Sequence, residues 1–130
     1  EKKWNKIADF STHLVFNLDI INDIKDYKTL ILVDASEDKT EGIINSFPLE
    51  DYIPTLHLSN YHDTSLPEGI AFGRQMGLEI PEKIEIITIS IKEIGLIDND
   101  LTKELEENYD TILKKIEEII TDLVLDSVNL

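Results

Sequence analysis

Any chemistry in this chain has to come from oxygen and nitrogen donors, because there is no cysteine and three histidines, His13, His57 and His62, stand among many carboxylates. A disulfide framework, a thiol nucleophile, a thiolate metal site and an iron-sulfur cluster are all excluded. Asp34 closes the apolar run Leu30-Ile31-Leu32-Val33, so it falls at the C-terminal end of an expected strand. Ligands of open α/β sheets gather at that edge, since helices pack on the sheet faces and leave the strand ends free to form a crevice. His62 lies in the stretch Ser59–Thr64, just ahead of Ser65-Leu66-Pro67-Glu68, whose spacing is that of a capping box at a helix start. Each residue also has a plainer reading: Asp34 as a cap or loop anchor, His62 as an exposed loop imidazole. His57 sits within an apolar strand pattern and reads better as a hydrogen-bonded sheet-face residue, and His13 follows Thr12 without a motif. Asp38 and Asp63 are near enough in sequence to accept an imidazole N–H. No Ser-His-Asp set, Gly-x-Ser-x-Gly turn, His-Glu-x-x-His helix, P-loop or Gly-x-Gly-x-x-Gly fingerprint is present, which leaves serine-protease and zinc-helix mechanisms unsupported.

The elements that must position these residues follow from periodicity. Lys6–Phe10 is read as a short strand. Asn17–Lys25 carries Leu18, Ile20, Ile21 and Ile24 on one helical stripe, with Asn17 as cap. Leu30–Val33 has the continuous β-favouring composition of a central strand covered on both faces. Gly42–Phe47 reads as a hairpin-like excursion and Thr55–Leu58 as another short strand. The capped helix after Ser65 tolerates Pro67 in its first turn, and Gly77 suits its left-handed C-terminal cap. Ile84–Ile91 is a long β-branched strand with partial alternation, expected to be less buried on one face. From Thr102 to Val124, Leu105, Tyr109, Ile112, Leu113, Ile116, Ile119, Ile120 and Leu123 recur every three to four residues, so this is the closing helix that packs along the sheet.

With 130 residues and an apolar fraction of 42%, the chain is expected to fold as one α/β domain around a single core. There is no repeat or linker to divide it. The longest apolar runs fall well short of the roughly 20 residues that cross a bilayer, and no secretory signal pattern opens the chain. A net charge of −15 opposes the phosphate contacts of nucleic acids and anionic membranes. The acidic residues are spread along the sequence, as on a solvated surface.

The order of these segments resembles that of the hydrogenase maturation endopeptidases. Asp26 to Ala35, with its Val33-Asp34-Ala35 end, is similar to the family's apolar strand, and Gly42–Leu49 to the extended passage that follows. His62 with Leu66 and Arg74-Gln75-Met76-Gly77 resembles the family's histidine loop and glycine-ended helix. Pro81–Ile91 and Lys92-Glu93-Ile94 resemble the strand that leads to the terminal helix, and Thr12–Ile24 is a looser match to the turn and short helix before the Val-Asp-Ala strand. The family's first strand, with Gly-Asn and an acidic loop that supplies a third ligand, has no counterpart here. The chain opens at Glu1-Lys2-Lys3-Trp4, which resembles the end of the family's first helix.

The resemblance implies an α/β, three-layer, mostly parallel sheet with helices on both faces, phosphorylase/hydrolase-like and truncated at the N-terminus. It implies a cytoplasmic endopeptidase that removes a C-terminal peptide from a nickel-iron hydrogenase large-subunit precursor after nickel insertion. Asp34 and His62 are then the metal ligands, and the divalent metal is nickel presented by the substrate. A carboxylate with a neutral imidazole suits borderline ions such as nickel or zinc, and two protein ligands leave several coordination positions open. The expected partner is the precursor, with neither nucleic acid nor membrane, and a missing strand is expected to promote self-association. Two alternatives stand beside this reading. One is a non-catalytic module that binds the precursor; the other is a phosphoacceptor receiver-like domain, for which Lys92 is available but Asp9 alone cannot supply the acidic pair.

Overall fold

The computed structural model describes residues 7–12, 20–51, 66–92 and 102–128. Its elements follow the order α1 (Ile20–Ile24), β1 (Thr29–Glu37), β2 (Ile44–Pro48), a 3-10 turn (Leu49–Asp51), α2 (Leu66–Gln75), β3 (Lys83–Ile91), α3 (Lys103–Glu107) and α4 (Tyr109–Val128). Ile7–Phe10 does not form the expected short strand; its apolar residues Ile7 and Phe10 are both exposed, so no buried face holds it extended. The expected strand at Thr55–Leu58 lies outside the described residues, as do Asn17 and Ser65.

The fold is α/β, built on a small mixed sheet of order β1-β3-β2. β1 runs parallel to β3, whereas β2 runs antiparallel to it, so half of the pairing departs from the expected parallel arrangement. The burial expectations for the two long strands are also reversed. β3 is the centre of the sheet and its most buried strand, with Ile86 and Ile87 fully enclosed. Among the described residues β1 lies at an edge of the sheet, and its Val33 is 47% exposed. A short apolar run is compatible with either position, because burial is set by how many strands and helices flank it.

Directly paired residues of adjacent strands point to the same face, which defines the two cores. On one face Leu30 and Leu32 align with Ile84 and Ile86, and Phe47 aligns with Ile86. These residues join Ile20 and Ile24 of α1 and Ile70 of α2, with Leu49 and Ile80 at the margin, in one hydrophobic cluster. Each fully buried isoleucine there contributes on the order of 2–3 kcal/mol. The other face carries Ile87, Ile89 and Ile44. α4 packs at β2, and its Ser127 hydroxyl lies 2.8 Å from the hydroxyl of Thr29, which is on this face.

The helix ends follow local chemistry. Gly77, at φ +73°, closes α2 with the paired bonds of a left-handed cap: its own N–H donates to the Arg74 carbonyl and the Leu78 N–H to the Gly73 carbonyl. The expected long terminal helix is interrupted at Asn108, whose side-chain amide donates to the Glu104 carbonyl at 2.8 Å. Such local bonding by an asparagine competes with the helical ladder, and the backbone restarts as α4 one residue later. Thr102 caps α3 by accepting the Leu105 N–H.

Candidate functional site

Asp34 lies within β1 rather than at its end. The apolar run stops at Val33, but pairing with β3 continues through Ser36↔Ser90 and Glu37↔Ile91, since a backbone ladder does not require apolar side chains. The Asp34 carboxylate is half-buried, and its Oδ1 accepts the N–H of Ala35 at 2.8 Å.

The register places Asp34 in a polar row across the sheet. Asp34 pairs with Thr88 on β3, and Thr88 pairs with Asn45 on β2, so all three side chains share the face that carries the α1–α2 core. One row earlier that face is wholly apolar, with Leu32, Ile86 and Phe47. One row later it is polar again, with Ser36 beside Ser90. The face therefore changes character at Asp34, toward the C-terminal end of the parallel pair, where side chains can meet a ligand instead of a helix.

The two buried hydroxyls of β3 are used differently. Ser90, 1% exposed, donates to the Thr40 carbonyl at 2.6 Å and accepts the Ile43 N–H at 2.8 Å. Its backbone adds two bonds to the same turn, from the Gly42 N–H to the Ser90 carbonyl and from the Ser90 N–H to the Ile43 carbonyl. It is thus a staple for the connection between β1 and β2. Thr88 is 5% exposed, and its hydroxyl has no hydrogen-bond partner among the described residues. Neither Thr88 nor Asn45 stands out in the sequence, where Thr88 belongs to a β-branched strand; only the register puts both beside Asp34.

At the far edge of the sheet, Glu41 accepts the Thr102 hydroxyl at 2.6 Å and the Lys92 N–H at 3.3 Å, while the Lys92 ammonium pairs with Glu104 at 3.1 Å. These exposed contacts tie the turn after β1 to the start of α3. Asp38 belongs to this edge as well. It accepts the Lys39 N–H and lies four extended residues beyond Asp34, about 13 Å along the strand, too far to support it. Asp9 accepts a hydrogen bond from Tyr27, away from the polar row.

His62, together with His13, His57 and Asp63, lies outside the described residues, so of the two expected ligands only Asp34 has a described position. Among the described residues no group of three or more histidine, cysteine or acidic side chains is arranged to hold a metal ion. Among the described residues no helix is long and apolar enough to cross a membrane. No protein-family model matches the chain, and comparison with curated proteins and with solved structures gives no match.

Proposed function

We propose that this protein is a metal-dependent endopeptidase of the hydrogenase maturation type, which removes a C-terminal peptide from a nickel-iron hydrogenase large-subunit precursor after nickel insertion. The observation that supports this reading most is the place of Asp34. It belongs to the Val33-Asp34-Ala35 segment and stands at the row where one sheet face turns from apolar to polar, on the strand parallel to β3. The chain order of β1, β2, a glycine-ended helix, a strand parallel to β1 and a long terminal helix also accords with the order read in the sequence, although the antiparallel direction of β2 does not. A three-layer, phosphorylase/hydrolase-like arrangement is part of the same proposal.

In this reading Asp34 and His62 engage nickel already held by the precursor, and the ion is part of the substrate. It polarises the scissile carbonyl or lowers the pKa of the attacking water. The chain's own contribution is to bind and orient. The Ala35 N–H donates to Oδ1 of Asp34, which limits rotation of the carboxylate. The receiver-like alternative is weakened by the engagement of Lys92 with Glu104; the antiparallel β2 departs from both readings alike.

The test is to incubate the protein, at its full encoded length, with nickel-loaded and nickel-free precursor and to follow intact mass. Release of a short C-terminal peptide from the loaded form alone is expected, with loss of cleavage in Asp34→Asn and His62→Ala. Cleavage indifferent to both substitutions, or neither cleavage nor binding of such a precursor, refutes the proposal. Stable binding without cleavage selects the non-catalytic precursor-binding module instead.

A further inference from the structure

We propose that the outer edge of β1, from Thr29 to Val33, is a docking site for an extended peptide that joins the sheet as a further strand. The peptide it fits has β-branched residues along its length and lysine or arginine at the end that lies next to Asp34. The proposal concerns a backbone surface and does not depend on Asp34 holding a metal.

The register decides which backbone groups face outward. Along a strand each residue directs its N–H and its C=O to the same side, and successive residues face opposite sides. The Lys28 carbonyl accepts the Lys83 N–H, and the Asp38 N–H donates to the Ile91 carbonyl, so the even-numbered residues of β1 serve β3. Thr29, Ile31 and Val33 therefore turn their N–H and C=O groups away from the sheet, where no backbone bond reaches them among the described residues. The next outward N–H, that of Ala35, is taken by the Asp34 carboxylate at 2.8 Å, which ends the open stretch. The opposite edge is built differently. The bond from the Ser90 N–H to the Ile43 carbonyl sets the odd-numbered residues of β2 toward β3, so Pro48 stands at an outward position with no N–H to offer. Proline and charged side chains are common means of closing a sheet edge to other strands; Thr29-Leu30-Ile31-Leu32-Val33 has neither.

Side chains and charge narrow the occupant. Every residue from Thr29 to Ser36 is at least partly exposed, and the exposed Val33 lies beside Ile87, which is fully buried. An added strand sets its own side chains beside Ile31 and Val33 on that face, where β-branched residues fit a pleated, half-covered surface. Before the open stretch, Asp23 and Asp26 are balanced by Lys25 and Lys28; after it come Asp34, Glu37 and Asp38, with Lys39 alone against them. The cationic end of the peptide therefore belongs beside Asp34. Pairing with a second copy would bring together two chains of net charge −15, which opposes that occupant. Main-chain bonds supply affinity in strand addition, and alternate side chains supply specificity.

The test uses the isotope-labelled protein and a synthetic peptide with blocked termini, in which valine and threonine alternate over about six residues, a usual strand length. A lysine pair at each end serves either direction of docking. In the protein alone the amides of Thr29, Ile31 and Val33 are expected to exchange fast, while those of Leu30 and Leu32 are protected by β3. The peptide is expected to slow the first three by about tenfold or more and to bind about tenfold more tightly than the same peptide ended in glutamate. Only alternate peptide residues face β1, so N-methylation of one set, the valines or the threonines, is expected to weaken binding by about tenfold or more, and of the other set to leave it nearly unchanged. Val33→Pro, which removes an outward N–H, is expected to weaken binding likewise while Leu32 stays protected. Slow exchange at Thr29, Ile31 and Val33 in the protein alone overturns the proposal, because the edge is then already covered; protection that rises with protein concentration makes a second copy the occupant instead. Absence of binding by the lysine-ended peptide overturns it too, as does equal loss from both methylated sets or from neither. Equal affinity of the glutamate-ended peptide refutes the cationic partner. Should Val33→Pro not fold, the methylated peptides decide alone.

Discussion

Ser90→Ala isolates the staple that holds the turn between β1 and β2. In the parent, one hydroxyl serves two backbone groups, the Thr40 carbonyl at 2.6 Å and the Ile43 N–H at 2.8 Å. Alanine removes both bonds but leaves the two backbone bonds between Ser90 and the turn, from Gly42 and to Ile43. The turn should therefore loosen rather than detach. A net value of about 1 kcal/mol per hydrogen bond gives a loss of about 2 kcal/mol. For a domain of this size that corresponds to a fall of about 8 °C in Tm. Urea unfolding should show a lower midpoint with an unchanged slope, since the surface exposed on unfolding is the same. Amide exchange provides the local readout, because the Ile43 N–H loses its acceptor and should exchange faster while the Ser90 N–H keeps its protection. Ser46→Ala, at an exposed position on β2, serves as the control and should stay within about 0.5 kcal/mol of the parent. A Ser90→Ala protein as stable as the parent, with unchanged exchange at Ile43, would refute the assignment of Ser90 as a staple.

Two further perturbations probe the helix cap and the loop before β1. Gly77 has φ +73°, and no atom lies within 4 Å of the point where a Cβ would stand, so Gly77→Ala should cost about 1 kcal/mol from backbone strain alone; a melting temperature equal to or above the parent's would show that the left-handed cap is not required. The Asp9 carboxylate, by accepting the Tyr27 hydroxyl, raises the phenol above its ordinary pKa, with smaller contributions from burial and from the charges of Asp9, Asp26 and Asp23. A raised folded-state pKa means that the folded protein holds the proton more tightly. The associated stability is complete below the unfolded phenol's pKa of about 10 and is lost as pH rises through the folded value. In an NMR titration Asp9→Asn should lower the Tyr27 midpoint, and superimposable curves would rule out the pairing.

Much of the secondary structure is legible in the residues themselves. The periodic isoleucines of Ile84–Ile91 and of the terminal helix identify their elements because side-chain spacing is a local consequence of backbone geometry. Gly77 announces its cap for the same kind of reason, since a left-handed residue without a Cβ is a local requirement. The break at Asn108 is less visible: it depends on a side chain reaching back to Glu104 within an otherwise apolar periodicity. Position within the sheet is not legible. Leu30–Val33 looks like the better central strand, yet among the described strands β3 lies between the other two and pairs with both. The same distinction governs the site. Asp34 is conspicuous in sequence as a carboxylate after an apolar run, a one-dimensional signal. Thr88 and Asn45 are distant from it along the chain and acquire meaning only through register, which brings them into one row on one face. Register depends on which strands meet and in what direction, and those pairings are chosen by burial of the whole core rather than by any segment alone.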